Sequence, residues 1–384
     1  MRRFAVIAAL MCVASIAHAE QNQAFLAIQA ETTVMKMAGM PAMPKIEMPA
    51  GMKMPEGVKM PSGPQMAMLS GEPTRSLNVR LWSPSIAPAD AFAYITPPAG
   101  LKQGNKLDLE LYRPKPEQTK DTPKTDGDDS FDPQSNPNFT IKIYWGSSET
   151  VKPGQPKVIK WTGLSADQQG EMEKQAKKME AAQSYFYKEN WTTGYWPTAK
   201  QPGEIAADAS LVGDYALTTN YTGNVKIEAA KDVDFLAPIT MSSPDIAGKI
   251  DFASFIPFKW KQIPNALGLY ASIIGMEGEN TLILWSSSEV YQENLMADLG
   301  FPQMAEVREF VKQTVFMKGD QTKVTVPAGI FKDSDTVMFS MYGYGPGAAL
   351  DKAQPLPRIQ TKTTLSIMLG GKDMPDMGGT DGDQ

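Results

Sequence analysis

Thioether sulfur is the most concentrated reactive group in this 384-residue sequence. Ten of its 24 methionines fall within residues 35–68, at 35, 37, 40, 43, 48, 52, 54, 60, 66 and 68. A thioether is soft and uncharged and suits Cu(I) or Ag(I). It binds without losing a proton, so such a site would depend little on pH near neutrality. A local site needs methionines two to four residues apart. Met35, Met37, Met40 and Met43 meet this, and so do Met48, Met52 and Met54. These seven are the candidate metal ligands, with Cu(I) as the one cofactor the sequence offers. The plainer reading is a flexible spacer in which Met supplies adaptable apolar contacts. A hexapeptide repeat favours the spacer: Met48-Pro-Ala-Gly-Met-Lys, Met54-Pro-Glu-Gly-Val-Lys, Met60-Pro-Ser-Gly-Pro-Gln. Pro and Gly at that period forbid a continuous helix and weaken a strand ladder.

Aromatic rings are the second concentration. Residues 185–196 hold six, Tyr185, Phe186, Tyr187, Trp191, Tyr195 and Trp196. Exposed rings can stack on the apolar faces of sugars. Tyr187, Trp191, Tyr195 and Trp196 are therefore the candidate ligand-binding residues, against the alternative that they fill a core. The acidic run Asp126 to Asp132 offers oxygen ligands to calcium, but it lacks the Glu that closes an EF-hand loop, so a solvated loop is the simpler reading.

Other chemistry is scarce. The single Cys and single His are Cys12 and His18, and both lie in an opening stretch with the marks of a signal peptide. Arg2 and Arg3 precede an apolar run from Phe4 to Ala17, and Ala17-His18-Ala19 is a small-residue cleavage pattern. Cleavage after Ala19 would leave a chain without either residue. That excludes a Ser-His-Asp triad, a thiolate nucleophile and a His-ligated zinc or haem. No phosphate-binding or dinucleotide glycine motif follows a strand pattern. The chain is expected not to be an enzyme. Its formal net charge is −6, and no basic cluster offsets it, so nucleic acid is not an expected partner. No later segment is long and apolar enough for a transmembrane anchor.

The elements that would position these residues read mainly as strands. Leu77-Val79-Leu81, Leu107-Leu109-Leu111, Ile141-Ile143-Trp145 and Val225-Ile227 alternate apolar and polar. Residues 258–285, 315–341 and 365–367 carry further strand candidates. A capping box at Ser165 to Gln168 opens a helix to about residue 187. Pro302 opens a second helix to about 313, with Met304, Val307, Phe310 and Val311 as its stripe. The expected architecture is mainly β, with two β-sandwich-like domains carrying one or two short helices each and an extended Met/Pro-rich N-terminal segment. The expected division is 1–19 signal peptide, 20–75 Met/Pro/Gly-rich segment, 76–244 first domain with a loop insertion at 114–138, 245–369 second domain and 370–384 tail.

Residues 141–158 (IKIYWGSSETVKPGQPKV), 258–289 (FKWKQIPNALGLYASIIGMEGENTLILWSSSE) and 324–331 (VTVPAGIF) resemble a family of uncharacterised exported bacterial proteins. That family also carries a Met- or Gly-rich segment after its signal. The resemblance implies no known activity. Family members often carry Cys where this chain has Ser147, and another near Lys323, so it implies no disulfide here. Trp260, Asn265-Ala266 and Tyr270 are similar to the B-to-C strand pattern of fibronectin-type sandwiches. The sequence therefore points to a non-enzymatic binding or envelope-structural protein, periplasmic or secreted, with an envelope protein or a glycan as partner. Soft-metal sequestration and glycan binding or processing are its two alternatives. Intact mass of the exported protein is expected to show a chain beginning at Glu20; a species retaining Cys12 and His18 would restore His and Cys chemistry.

Overall fold

The computed structural model describes residues 24–39, 71–113, 139–160, 191–292, 300–350 and 357–370. The signal-peptide region, Met40 to Met68, the loop at 114–138, the helix expected at 165–187 and the tail beyond 370 lie outside the described residues. Within them the chain is mainly β. The strands are β1 (Phe25–Met37), β2 (Thr74–Ser83), β3 (Ala93–Thr96), β4 (Leu107–Asp108), β5 (Glu110–Tyr112), β6 (Thr140–Trp145) and β7 (Lys157–Lys160). There follow β8 (Thr192–Trp196), β9 (Gly213–Thr219), β10 (Val225–Ala229), β11 (Met241–Ser243), β12 (Ile256–Trp260) and β13 (Gly268–Glu277). The last are β14 (Thr281–Ser286), β15 (Met317–Lys318), β16 (Lys323–Val326), β17 (Thr336–Tyr344), β18 (Ala348–Ala349) and β19 (Arg358–Gly370). One α-helix, α1 (Met304–Lys312), interrupts them.

Strand alternation explains how these pieces assemble. In β1, Leu26, Ile28, Ala30, Thr32 and Val34 are buried, while Gln29, Glu31, Thr33 and Met35 face the other way. The inward set is not served by one core. Leu26, Ile28 and Ala30 join a first cluster with Leu77, Val79, Ile95, Trp196, Tyr215, Leu217 and Ile227. Val34 joins a second with Phe258, Trp260, Ile273, Trp285, Phe339, Leu365 and Ile367. β19 divides in the same way, with Ile359 in the first core and Leu365, Ile367 and Leu369 in the second.

Both cores therefore share one sheet. Its order is β5-β8-β2-β1-β19-β17-β13-β14-β6-β7, with β15 beside β13 and β18 beside β19. β1–β19 and β14–β6 are parallel, and the other described pairs are antiparallel. A four-stranded sheet, β10-β9-β3-β4, packs over one half of it, and a three-stranded sheet, β11-β12-β16, packs over the other half on the same face. Phe258 and Phe339 stack across the second interface at 4.2 Å. Neither core is one continuous stretch of chain. β1, from the 20–75 segment, builds both. β6 and β7, from the 76–244 segment, extend the second half through the parallel pairing of β6 with β14. β11, before residue 245, pairs with β12 after it. The physical reason is length: two strands of 13 residues span roughly 40 Å at strand rise, enough for two cores end to end.

The opposite face of the large sheet is covered differently. Gln303 caps the N-terminus of α1, where its side chain and that of Glu306 form a reciprocal capping box. Its stripe of Val307, Phe310 and Val311 packs on Tyr270, Phe316 and Tyr344. The Phe316 and Tyr344 rings stack at 5.1 Å and 6°. Gly268 makes this contact close, because a Cβ there would lie 2.9 Å from Val311 Cγ2 and 3.0 Å from Val307 Cγ1. Burial pushes the Tyr270 hydroxyl up to about 12, against the opposing pull of its hydrogen bond with Ser286.

Gly268→Ala is expected to lower stability by about 1–3 kcal/mol through overpacking against α1, read from the urea midpoint. Tyr270 keeps its proton longer folded than unfolded, so its contribution is complete below about pH 10 and is lost as pH rises toward 12. Tyr270→Phe should flatten the fall in stability across that window; an unchanged slope would remove Tyr270 as its cause.

Candidate binding face

The pleat of β8 separates the aromatic residues that sequence proximity groups together. Thr192, Gly194 and Trp196 point inward, and Thr193 and Tyr195 point outward with Trp191 before them. Trp196 is 1% exposed and sits in the first core. Its Nε1 donates to Gln201 Oε1 at 3.1 Å. It therefore cannot serve as a stacking platform with Tyr195, because successive residues of a strand face opposite sides. Tyr187 lies outside the described residues.

What joins Trp191 and Tyr195 comes from distant parts of the chain. Across the sheet Phe25 pairs with Trp82, Trp82 with Thr193, and Thr193 with Tyr112. One row away, Arg80 pairs with Tyr195 and Tyr195 with Glu110. Each of these faces away from the core by the alternation of its strand. Phe25 and Trp191 stack at 5.2 Å and 29°. The Arg80 guanidinium carbon lies 5.5 Å from the centre of the Tyr195 ring, within cation–π range. Tyr112 is 50% exposed. Four adjacent strands, with Trp191 just before β8, thus present five aromatic rings with a guanidinium and a carboxylate among them. Such a face can stack and hydrogen-bond, but it holds no nucleophile paired with a base.

The hollows are less promising. One of about 270 Å³ is lined by Gln103, Leu107, Trp196, Gln201, Pro202, Gly203 and Glu204. Its polar groups are already engaged: Gln201 Oε1 accepts from Trp196 and from the Asp108 amide, and Gln103 Nε2 donates to the Glu204 carbonyl. A second, beside α1, has about 10 Å³, no more than one water would need. Among the described residues no group of three or more His, Cys, Asp or Glu is placed to hold a metal ion, and no helix is long and apolar enough to cross a membrane.

Of the seven candidate thioether ligands, Met35 and Met37 are described. Both are half-buried and outward-facing at the end of β1, next to Ser366 and Met368 of β19. Met40, Met43, Met48, Met52 and Met54 lie outside the described residues. Trp260 and Tyr270 do not share a core: Trp260 faces the second core from β12, and Tyr270 faces α1 from the opposite side of β13. Compared with family models, curated proteins and solved structures, the chain matches none.

The sequence reading missed Phe25, Arg80, Trp82, Glu110 and Tyr112 because their proximity exists only once β1, β2, β5 and β8 pair. A usable signal was present for two of them. Arg80 and Trp82 occupy the polar phase of the Leu77-Val79-Leu81 alternation, where an outward tryptophan is unusual.

Proposed function

We propose that this chain is an exported, non-enzymatic binding protein that holds a carbohydrate chain on the outer face of β5–β8–β2–β1. The observation that carries this reading is the set of four outward aromatics on four neighbouring strands, Phe25, Trp82, Tyr112 and Tyr195, joined by Trp191, which precedes β8 and stacks on Phe25. The apolar faces of pyranose rings suit flat aromatic surfaces. The Arg80 guanidinium and the Glu110 carboxylate can bond the hydroxyl rims of such rings and fix their orientation. A flat surface fits a polymer better than a small molecule, which needs a concave pocket. Export rests on the Arg2-Arg3, apolar-run and Ala17-His18-Ala19 pattern, and it agrees with the resemblance to exported bacterial proteins. The periplasm or the cell exterior, where envelope glycans lie, is the matching compartment.

The test is retardation in gels containing soluble neutral polysaccharides, together with cosedimentation with isolated peptidoglycan sacculi. At least one polymer is expected to retain the protein. Trp82→Ala and Tyr195→Ala should each weaken that retention roughly tenfold, about 1.4 kcal/mol. Retention by none of the polymers, or retention unchanged in both variants, would defeat the carbohydrate reading.

A further inference from the structure

The outer face of the large sheet carries a second concentration of one residue type, at the other end of β1. Met37 pairs with Met368 in the parallel β1–β19 ladder, and Met368 pairs with Met338 in the antiparallel β19–β17 ladder. All three belong to the outward phase of their strands: Ile367 and Leu369 flank Met368 and are buried, as Val337 and Phe339 flank Met338 and are buried. Met37 and Met368 are half-buried and Met338 is 40% exposed. Met35 stands in the next row, in line with Ser366 and Ser340. The row continues from Met338 to Ile274 and the Ser row from Ser340 to Ser272. Across β1, β19, β17 and β13 neither row contains a charged side chain; the methionine row meets its first one, Lys157, only at β7, beyond Leu284 and Ile143.

We propose that Met37, Met338 and Met368 form a thioether site for a soft monovalent cation of the Cu(I) or Ag(I) class, with Met35 beside it. The geometry allows one ion to reach all three. Neighbouring strands lie about 4.8 Å apart, so the outer two backbones, β1 and β17, are about 10 Å apart with β19 between them. A methionine side chain has three rotatable bonds, and its sulfur can lean toward the middle strand from either side. The sulfurs then converge above Met368. Because the strands are held in the centre of the sheet, little backbone ordering is required, unlike closure of a flexible loop around an ion. The ligands are neutral and soft, so Zn(II) and Ca(II) do not compete. The site shares only β1 with the carbohydrate face, and on that strand Met37 stands at the opposite end from Phe25.

Nuclear magnetic resonance of the full-length exported protein, labelled at the methionine methyls, tests this with Ag(I) as the probe. Resonances are assigned by single Met→Leu replacements. The first equivalent of Ag(I) is expected to move the Met37, Met338 and Met368 methyls together. Met338→Leu with Met368→Leu should weaken binding at that site at least tenfold while leaving the metal-free thermal midpoint unchanged, since Met-to-Leu swaps conserve volume. Zn(II) and Ca(II) should move none of the three. If the three methyls stay put while those of Met40 to Met68 shift, or if no methyl shifts at micromolar Ag(I), or if the double replacement binds as tightly as the parent, the proposal is wrong.

Discussion

Everything in this fold hangs on the parallel pairing of β1 with β19, which runs from Ala27 opposite Arg358 to Met37 opposite Met368. At its middle the two strands are pinned from both sides. On the outer face Lys362 lies against Glu31 at 3.3 Å, with side chains only 10% and 20% exposed. The Lys362 ammonium sits 4.5 Å from the Phe301 ring centre and 5.7 Å from that of Tyr342. Thr364, 333 residues from Glu31 in sequence, donates to the same carboxylate. On the inner face Thr32 donates to the Leu236 carbonyl, and Thr361 donates to the Pro346 carbonyl. These inward threonines fall where the first core ends and the second begins.

A buried ion pair is poor evidence for stability, since desolvation offsets much of its Coulomb attraction. It is better understood as a device for register. A slip of one residue would turn Lys362 toward the two hydrophobic cores, where an unpaired ammonium is prohibitively costly. The same slip would turn Leu365 and Ile367 outward. Polar centre and apolar arms together permit one alignment of two strands that lie far apart in the sequence. With that alignment set, the outer face is set as well. The aromatic rings stand at one end of β1 and the methionines at the other, with α1 and the Lys362 cluster between them. Neither group had to be assembled by a loop.

The mainly β character was legible because strand alternation is a local property: Leu77-Val79-Leu81 and Ile141-Ile143-Trp145 show their inner and outer phases within a few residues. The helix at Met304–Lys312 was legible for a similar reason, through its stripe and its N-terminal signals. Pairing is not local. Nothing near residue 143 indicates that β6 lies beside β14, and nothing near Phe25 indicates β2 on one flank and β19 on the other. The candidate site suffered accordingly. Sequence proximity joined Trp196 to Tyr195, which the pleat sets on opposite sides, and left out Trp82 and Phe25. It tied Met37 to methionines that follow it in sequence, whereas its cross-strand neighbours Met368 and Met338 lie hundreds of residues away.

A sheet whose central partner strand is drawn from residues 358–370 has a consequence for how the molecule comes into being. Until that segment is present, β1 and β17 have an empty lane between them, and both cores stay open along it. Early portions of the chain can form hairpins such as β1–β2 and β13–β14, but they cannot close. High contact order of this kind makes folding slow, and here it also makes completion late. The topology thus delays the locking of both cores until residues 358–370 take their place between β1 and β17.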